Sequence, residues 1–210
     1  MKKSSPKGNY PTGGPLLVVL SGPSGAGKDA ILSRMKETGY PAEFITTVTT
    51  RPKRTQEKES VDYNFVSAER FQEMLKNNQF LEQANVYGNW YGVPREPVRQ
   101  ALEAGRDVIV KVDTQGAATI KRLVPQAVFI FVVPPSMEEL TARLKRRQTE
   151  SDFESELRLK TAREEMEQIL LFDYLVVNQQ DKIELAVSAI EAIITAEKHR
   201  LTPRQISLPD

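Results

Sequence analysis

The segment Gly22-Pro23-Ser24-Gly25-Ala26-Gly27-Lys28-Asp29 follows directly on the apolar run Leu16 to Leu20. A glycine-rich turn between a buried strand and a helix lets consecutive backbone N–H groups curl around an anion, because no β-carbon obstructs the approach. The spacing G-x-x-x-x-G-K adds a lysine that neutralises the outer phosphates of a nucleotide. Gly22, Gly25, Gly27 and Lys28 meet these demands, and Ile31, Leu32 and Met35 repeat at helical spacing behind them. A plain glycine turn is the alternative; the strand before it and the helix after it argue for phosphate binding. The last position of the motif usually carries a hydroxyl for Mg²⁺. Asp29 stands there, a hard oxygen ligand that can hold the metal but adds negative charge beside a polyanion.

Composition removes several other chemistries. The 210 residues carry 29 Lys plus Arg against 28 Asp plus Glu, a balance that gives no bulk attraction to nucleic acid or to a membrane. The absence of cysteine excludes disulfides, thiolate metal sites and thiol nucleophiles, and fits a reducing compartment. The single histidine, His199, sits near the end of a charged helix and reads as a solvated surface residue. No run approaches the roughly 20 apolar residues that span a bilayer, and the start lacks an apolar signal core, so a cytoplasmic protein is expected. The length suits one core with insertions. Residues 1–14 and 202–210 have little to bury and are expected to stay loose as flexible tails around a domain at 15–201.

Four further apolar runs read as buried parallel strands: Glu43 to Thr49, Asp107 to Asp113, Ala127 to Pro134 and Tyr174 to Asn178. Ser136 to Glu139, Ser151 to Glu154 and Asp181 to Glu184 have the capping-box spacing and mark helix starts. Strand–helix alternation behind a phosphate loop gives a three-layer α/β fold with a parallel core sheet. Residues 51 to 94 interrupt the alternation with a basic turn, extended pieces at Tyr63 to Val66 and Phe80 to Tyr87, and a helix near Ala68 to Asn77. They read as an inserted lobe, and Lys145 to Arg158, with arginines around an acidic turn, reads as a lid.

These features occur together with Thr47-Val-Thr-Thr-Arg51-Pro-Lys-Arg54, Asp62-Tyr63-Asn-Phe-Val-Ser67, Phe80-Leu-Glu82, Gly88-Asn-Trp-Tyr91-Gly92, Asp113-Thr-Gln-Gly116, Pro134-Pro-Ser136 and Val176-Val-Asn178. In that order, from about residue 15 to 198, the chain resembles the guanylate kinase family. The resemblance implies a P-loop NTPase fold with a monophosphate-binding lobe at about 46–94 and a lid at about 145–158. It further implies transfer of the γ-phosphoryl group of ATP to GMP with Mg²⁺, a step of purine nucleotide metabolism. ATP and GMP are then the partners, with no bulk nucleic acid or membrane, in a monomer or homodimer.

Carried over residue by residue, the resemblance assigns Gly22, Pro23, Ser24, Gly25, Ala26, Gly27, Lys28, Asp29 and Asn178 to ATP. It assigns Thr47, Arg51, Arg54, Tyr63, Glu82, Tyr91 and Asp113 to GMP. Lys28, Arg51 and the lid arginines Arg143, Arg147 and Arg158 are the expected catalytic groups. Asp29, with Asp113 through a water, is the expected metal ligand. The assignments make chemical sense, because phosphoryl transfer needs positioning and charge neutralisation more than covalent chemistry. Paired guanidinium forks suit an acceptor phosphate, and tyrosine hydroxyls add neutral donors. Glu82 can accept the N1–H and N2 amino hydrogens that guanine presents and adenine lacks. Outside this context the arginines would read as a solvated basic turn, the lid arginines as helix-surface groups paired at i,i+4, and Glu82 as an exposed strand residue.

The chain departs from the family pattern at Asp29, at Lys111 in place of a carboxylate two residues before Asp113, and at Val93, Gln148 and Gln179. Asp29 and Lys111 bear on the metal geometry and the rate. A different class of function shares this fold: a guanylate-kinase-like binding module that recognises a phosphorylated partner. Retention of Lys28 and of the lid arginines opposes it.

Overall fold

The computed structural model describes residues 13–55, 57–145 and 152–209. The elements run β1 (Leu17–Ser21), α1 (Lys28–Glu37), β2 (Ala42–Phe44), β3 (Val48–Thr49), β4 (Asn64–Phe65), α2 (Ala68–Lys76), β5 (Phe80–Val86), β6 (Asn89–Pro94) and α3 (Arg95–Glu103). They continue through β7 (Asp107–Lys111), α4 (Thr114–Leu123), β8 (Val128–Val133), α5 (Met137–Lys145), α6 (Asp152–Glu167), a 3₁₀ turn, β9 (Tyr174–Val177) and α7 (Ile183–Lys198).

Every residue of β1 and of β8 is buried, so these strands need cover on both faces. They lie at the centre of a five-stranded sheet of order β2-β7-β1-β8-β9, parallel throughout. Strand periodicity divides their side chains between two cores. Val18, Leu20 and Ile130 pack against Ile31 and Met35 of α1 and Val187, Ile190 and Ile194 of α7. Leu17, Val19 and Phe129 face Val98 and Ala101 of α3 and Ala117 and Ile120 of α4. Each such aliphatic side chain contributes roughly 1.5–3 kcal/mol on burial. The result is the three-layer α/β arrangement expected from the alternation. No helix among the described residues is long and apolar enough to cross a membrane.

A second sheet, β4-β3-β6-β5, forms the lobe between α1 and α3. Its small core stacks Phe71 of α2 between Phe80 and Trp90, with ring centroids at 4.5 and 5.8 Å. Ser67 caps α2 by accepting from the Arg70 N–H at 3.2 Å, and Ser136 caps α5 in the same way through Glu139 N–H.

Three expectations are revised. The run Glu43 to Thr49 is two strands in different sheets: Ala42–Phe44 pairs with β7, and Val48–Thr49 pairs with β4 and β6. The chain crosses from core to lobe between them. Asp181 does not cap α7; it takes a left-handed conformation, and the helix starts at Ile183 with no side-chain cap. The stretch from residue 202, expected to be loose, lies against the core as far as Pro209. Arg204 donates to buried Glu197 at 2.8 and 2.9 Å and to the Ala127 carbonyl at 2.9 Å. Ile206 and Leu208 cover the second core, and Arg95 donates to the Pro209 carbonyl at 2.6 Å. Two side chains with apolar area to bury and one guanidinium with fixed acceptors suffice to dock so short a segment. His199 is exposed, as its setting suggested.

Candidate active site

The parallel sheet delivers the ends of β1 and β7 to one edge, where open α/β sheets place their ligand groups. The loop after β1 wraps closely on its neighbours. A β-carbon at Gly22 would lie 2.0 Å from the Val132 carbonyl oxygen, and one at Gly27 would lie 2.2 Å from Asn178 Nδ2; both residues have positive φ. Neither position admits another residue without moving backbone or a buried amide. Gly27 opens α1 with no side-chain cap, so the N–H groups of the first turn remain available to an anion. Lys28 Nζ donates to the carbonyls of Gly22 and of Pro23, the latter at 3.1 Å, which folds the ammonium back over the loop. Burial lowers the Lys28 pKa, against the opposing pull of Glu165 and Asp29.

Asn178 and Arg143 stand behind this loop. Asn178 Nδ2 donates to the Ala26 carbonyl at 2.8 Å; Arg143 donates to the Asn178 carbonyl at 2.9 Å and is held by Glu139. Both hold the loop through the Ala26 carbonyl, which Arg143 also approaches at 3.4 Å. Arg147 lies outside the described residues, with the rest of 146–151, as do the side chains of the remaining lid positions, Arg158 included.

In front of the loop a single cleft is lined by Ser24, Gly25, Gly27, Lys28 and Asp29 on one side and by Thr47, Arg51, Arg54, Tyr63, Glu82 and Tyr91 on the other, with Asp113 at its floor. The lobe wall is organised by the basic turn. Glu57 accepts from Arg51 Nη2 at 2.6 Å and from the Arg54 backbone N–H at 2.9 Å. Burial works against the Arg51 charge, but the bonds to Glu57 and Tyr91 outweigh it and raise its pKa. The guanidinium lies 5.4 Å from the Tyr63 ring centroid, and Tyr63 meets Tyr91 edge-on at 5.9 Å.

Glu82 is the unusual group. Strand alternation would expose every second residue of β5, yet Phe80, Leu81 and Glu82 are all buried. A register irregularity between Phe80 and Glu82 re-aims the chain there. The Glu82 side chain therefore turns into the cleft, 2 % exposed, and its Oε2 has no hydrogen-bond partner among the described residues. Burial, then the Asp113 charge, pushes its pKa up to about 8. A buried carboxyl with an idle acceptor is a group waiting for a donor. Asp113 has a second task that its sequence position concealed: it caps α4, its Oδ1 accepting from Gly116 N–H at 2.7 Å. Burial raises its pKa as well.

Two site residues had no assigned role from sequence, and a third, Lys111, was expected only to offset the charge of Asp29. Glu165, on α6, lines the cleft and accepts weakly from the Ser24 backbone N–H at 3.4 Å. Glu57 is the partner of Arg51, and only its place six residues downstream in the same basic turn signals it. Lys111, noted as a departure, is an ion-pair partner of Asp29, the other departure. Its Nζ also donates to the Tyr63 hydroxyl at 3.0 Å and lies 4.2 Å from that ring's centroid. Burial disfavours the Lys111 charge, but Asp29 and Tyr63 more than compensate and its pKa is raised.

Comparison with known proteins agrees with this geometry. Residues 15–197 match the guanylate kinase family model. A guanylate kinase from Desulfitobacterium hafniense (strain Y51) is 46 % identical over 89 % of this chain and 92 % of its own length. The chloroplastic/mitochondrial guanylate kinase 2 of Oryza sativa subsp. japonica is 41 % identical over 92 % of this chain and 68 % of its own. The crystal structure of guanylate kinase from Anaplasma phagocytophilum superposes with a TM-score of 0.73 at 33 % identity, covering 90 % of this chain and 88 % of that one. A phosphate loop facing a basic, tyrosine-lined lobe, carried on a sequence matched over nearly its whole length, places the chain in the guanylate kinase family.

Proposed function

We infer that the cleft holds two nucleotides end to end and that the chain, as a guanylate kinase, transfers the γ-phosphoryl group of ATP to GMP, giving ADP and GDP. The observation that carries the reading is the buried, idle carboxyl of Glu82, which shares one cleft with Lys28 and the phosphate loop. A phosphate loop alone serves many reactions; a carboxylate poised for two adjacent N–H donors selects guanine.

The loop amides and Lys28 take the donor phosphates. Arg51 and Arg54, with the hydroxyls of Tyr63 and Tyr91, take the acceptor phosphate, which displaces Glu57 as the partner of Arg51. Thr47, whose hydroxyl donates to the Lys111 carbonyl at 3.3 Å, lines the same cleft as Glu82 and would join it at the guanine edge. An oxygen of the GMP phosphate then attacks the γ-phosphorus as the bond to the β-phosphate oxygen of ATP breaks, and ADP leaves. The chain contributes alignment and positive charge along that line. Arg143 and Asn178 keep the loop in its anion-binding shape, and the lid arginines Arg147 and Arg158 complete the positive surround.

Magnesium fits the donor set. No cluster of three or more acidic or histidine side chains among the described residues could cage a metal. Mg²⁺ characteristically binds through one or two carboxylates together with substrate phosphates and water, and Asp29, with Asp113 behind it, offers that sparse set of hard oxygens. The metal would supply charge neutralisation between the phosphates of the donor.

A coupled assay of ADP release with GMP, AMP, UMP and dGMP as acceptors tests the reading. Turnover with GMP and little or none with AMP or UMP supports it. Tight GMP binding without ADP release would favour the binding-module alternative, which no feature of the cleft recommends.

A further inference from the structure

Lys111 is the last residue of β7, in register with Leu20, one residue before the end of β1, so its side chain leaves the sheet beside the phosphate loop. From there the ammonium reaches both halves of the cleft. On the donor side it pairs with Asp29 in the first turn of α1; on the acceptor side it donates to the Tyr63 hydroxyl at 3.0 Å and covers that ring. The Lys111 side chain is 13 % exposed, whereas that of Asp29 is 62 % exposed. The cation is therefore fixed by the fold, and the carboxylate can turn away from it toward a newcomer. Among the contacts across the cleft, this is a charge shared between an element that receives ATP and one that receives GMP.

Resting on the two-nucleotide reading above, we propose that Lys111 couples the two sites: occupancy of the donor loop frees its ammonium from Asp29 and makes it available to the GMP phosphate. When the donor nucleotide arrives with its metal, the exposed Asp29 carboxylate turns toward that cation. Lys111, still anchored against Tyr63, is then one hydroxyl away from the acceptor phosphate and gains a partner there. Filling the donor site consequently tightens GMP binding. By linkage, GMP tightens donor binding by the same factor.

Calorimetric titration of GMP with and without saturating Mg²⁺-ADP measures this coupling, because ADP has no γ-phosphoryl group to transfer. Wild type is expected to bind GMP at least about fivefold more tightly when ADP is present. In Lys111→Met the two affinities should converge to within about twofold, at the weak level. In Asp29→Ser they should also converge, but at the tight level, because Lys111 is then free in both states. Lys111→Arg should keep most of the coupling. A structural prop would not produce opposite plateaus from two partners of one ion pair. Equal GMP affinities in wild type, undiminished coupling in Lys111→Met, or a weak plateau in Asp29→Ser would each overturn the inference while leaving the kinase reading intact. Failure of wild type to bind GMP at all would remove both. Asp29→Ser, at an exposed side chain, gives a decisive result even should Lys111→Met fail to fold.

Discussion

Gly116 and Glu82 are packed so closely that a β-carbon on residue 116 would lie 2.7 Å from Glu82 Oε2. The first turn of α4 thus leaves a gap one methyl group wide, and the carboxyl proposed to read guanine occupies it. Gly116→Ala should displace the end of a flexible side chain rather than the backbone. Alanine is also the better helix former, by about 1 kcal/mol. The melting temperature should therefore hold within about 2 °C while the KM for GMP rises roughly tenfold or more, as expected when a positioned group is moved by a fraction of an ångström. Steady-state kinetics and a thermal melt on the same preparation check both halves.

The Glu82 carboxyl, with its pKa pushed up to about 8, gives the protein a pH signature. Between the unfolded value near 4.5 and about 8 the folded state holds a proton that the unfolded state has released, so stability falls as pH rises through this window. Glu82→Gln removes the effect. The variant and wild type should melt alike at pH 4, and the variant should melt at least about 3 °C higher at pH 8.5. GMP binding runs the other way, because guanine's N–H donors need the ionised carboxylate. Wild-type affinity should climb between pH 6.5 and 8.5, and that climb should vanish in Glu82→Gln along with most of the preference for GMP over AMP.

In the proposed reading Lys28 serves the donor phosphates alone. Lys28→Ala should lower kcat by roughly 10²–10³, while GMP affinity measured by calorimetry changes less than about threefold. A large loss of GMP binding would mean that the ammonium reaches the acceptor instead.

In the proposed reading Arg51 serves the acceptor, and its removal would leave its partner Glu57 without a cation. Arg51→Ala should weaken GMP binding and slow turnover together, each by roughly tenfold or more, as loss of a charge-assisted fork to phosphate implies. GMP affinity indifferent to this change would place the acceptor phosphate elsewhere.

What could be read from the sequence was what local chemistry determines. The phosphate loop was legible because its glycines, lysine, preceding strand and following helix are contiguous. The strands β7 and β8 were legible because burial on both faces leaves an apolar run; β9 was legible as a strand but not as the sheet edge it forms, where Leu175 and Val177 are exposed. Glu43 to Thr49 misled because both halves are β-prone and nothing local marks the crossing between sheets at Ile45 to Thr47. Asp113 was legible as a site residue but not as the cap of α4, since one carboxylate can fill both positions. The Asp29–Lys111 pair joins residues far apart in the chain, and their meeting depends on β7 lying beside β1. Glu165 is brought to Ser24 only by the packing of α6 over the loop, again a tertiary fact. The C-terminal segment looked unstructured because its docking rests on a few separated residues, Arg204, Ile206 and Leu208, with no periodicity.

The central claim is that this cleft moves a phosphoryl group from ATP onto GMP. Incubating the purified protein with ATP, Mg²⁺ and GMP and resolving the nucleotides by anion exchange tests it directly. ADP and GDP should accumulate in equal amounts, with an initial rate of GDP formation at least about a hundredfold lower when Lys28→Ala replaces wild type. Wild-type protein that binds both nucleotides yet leaves GMP unconverted would contradict the account.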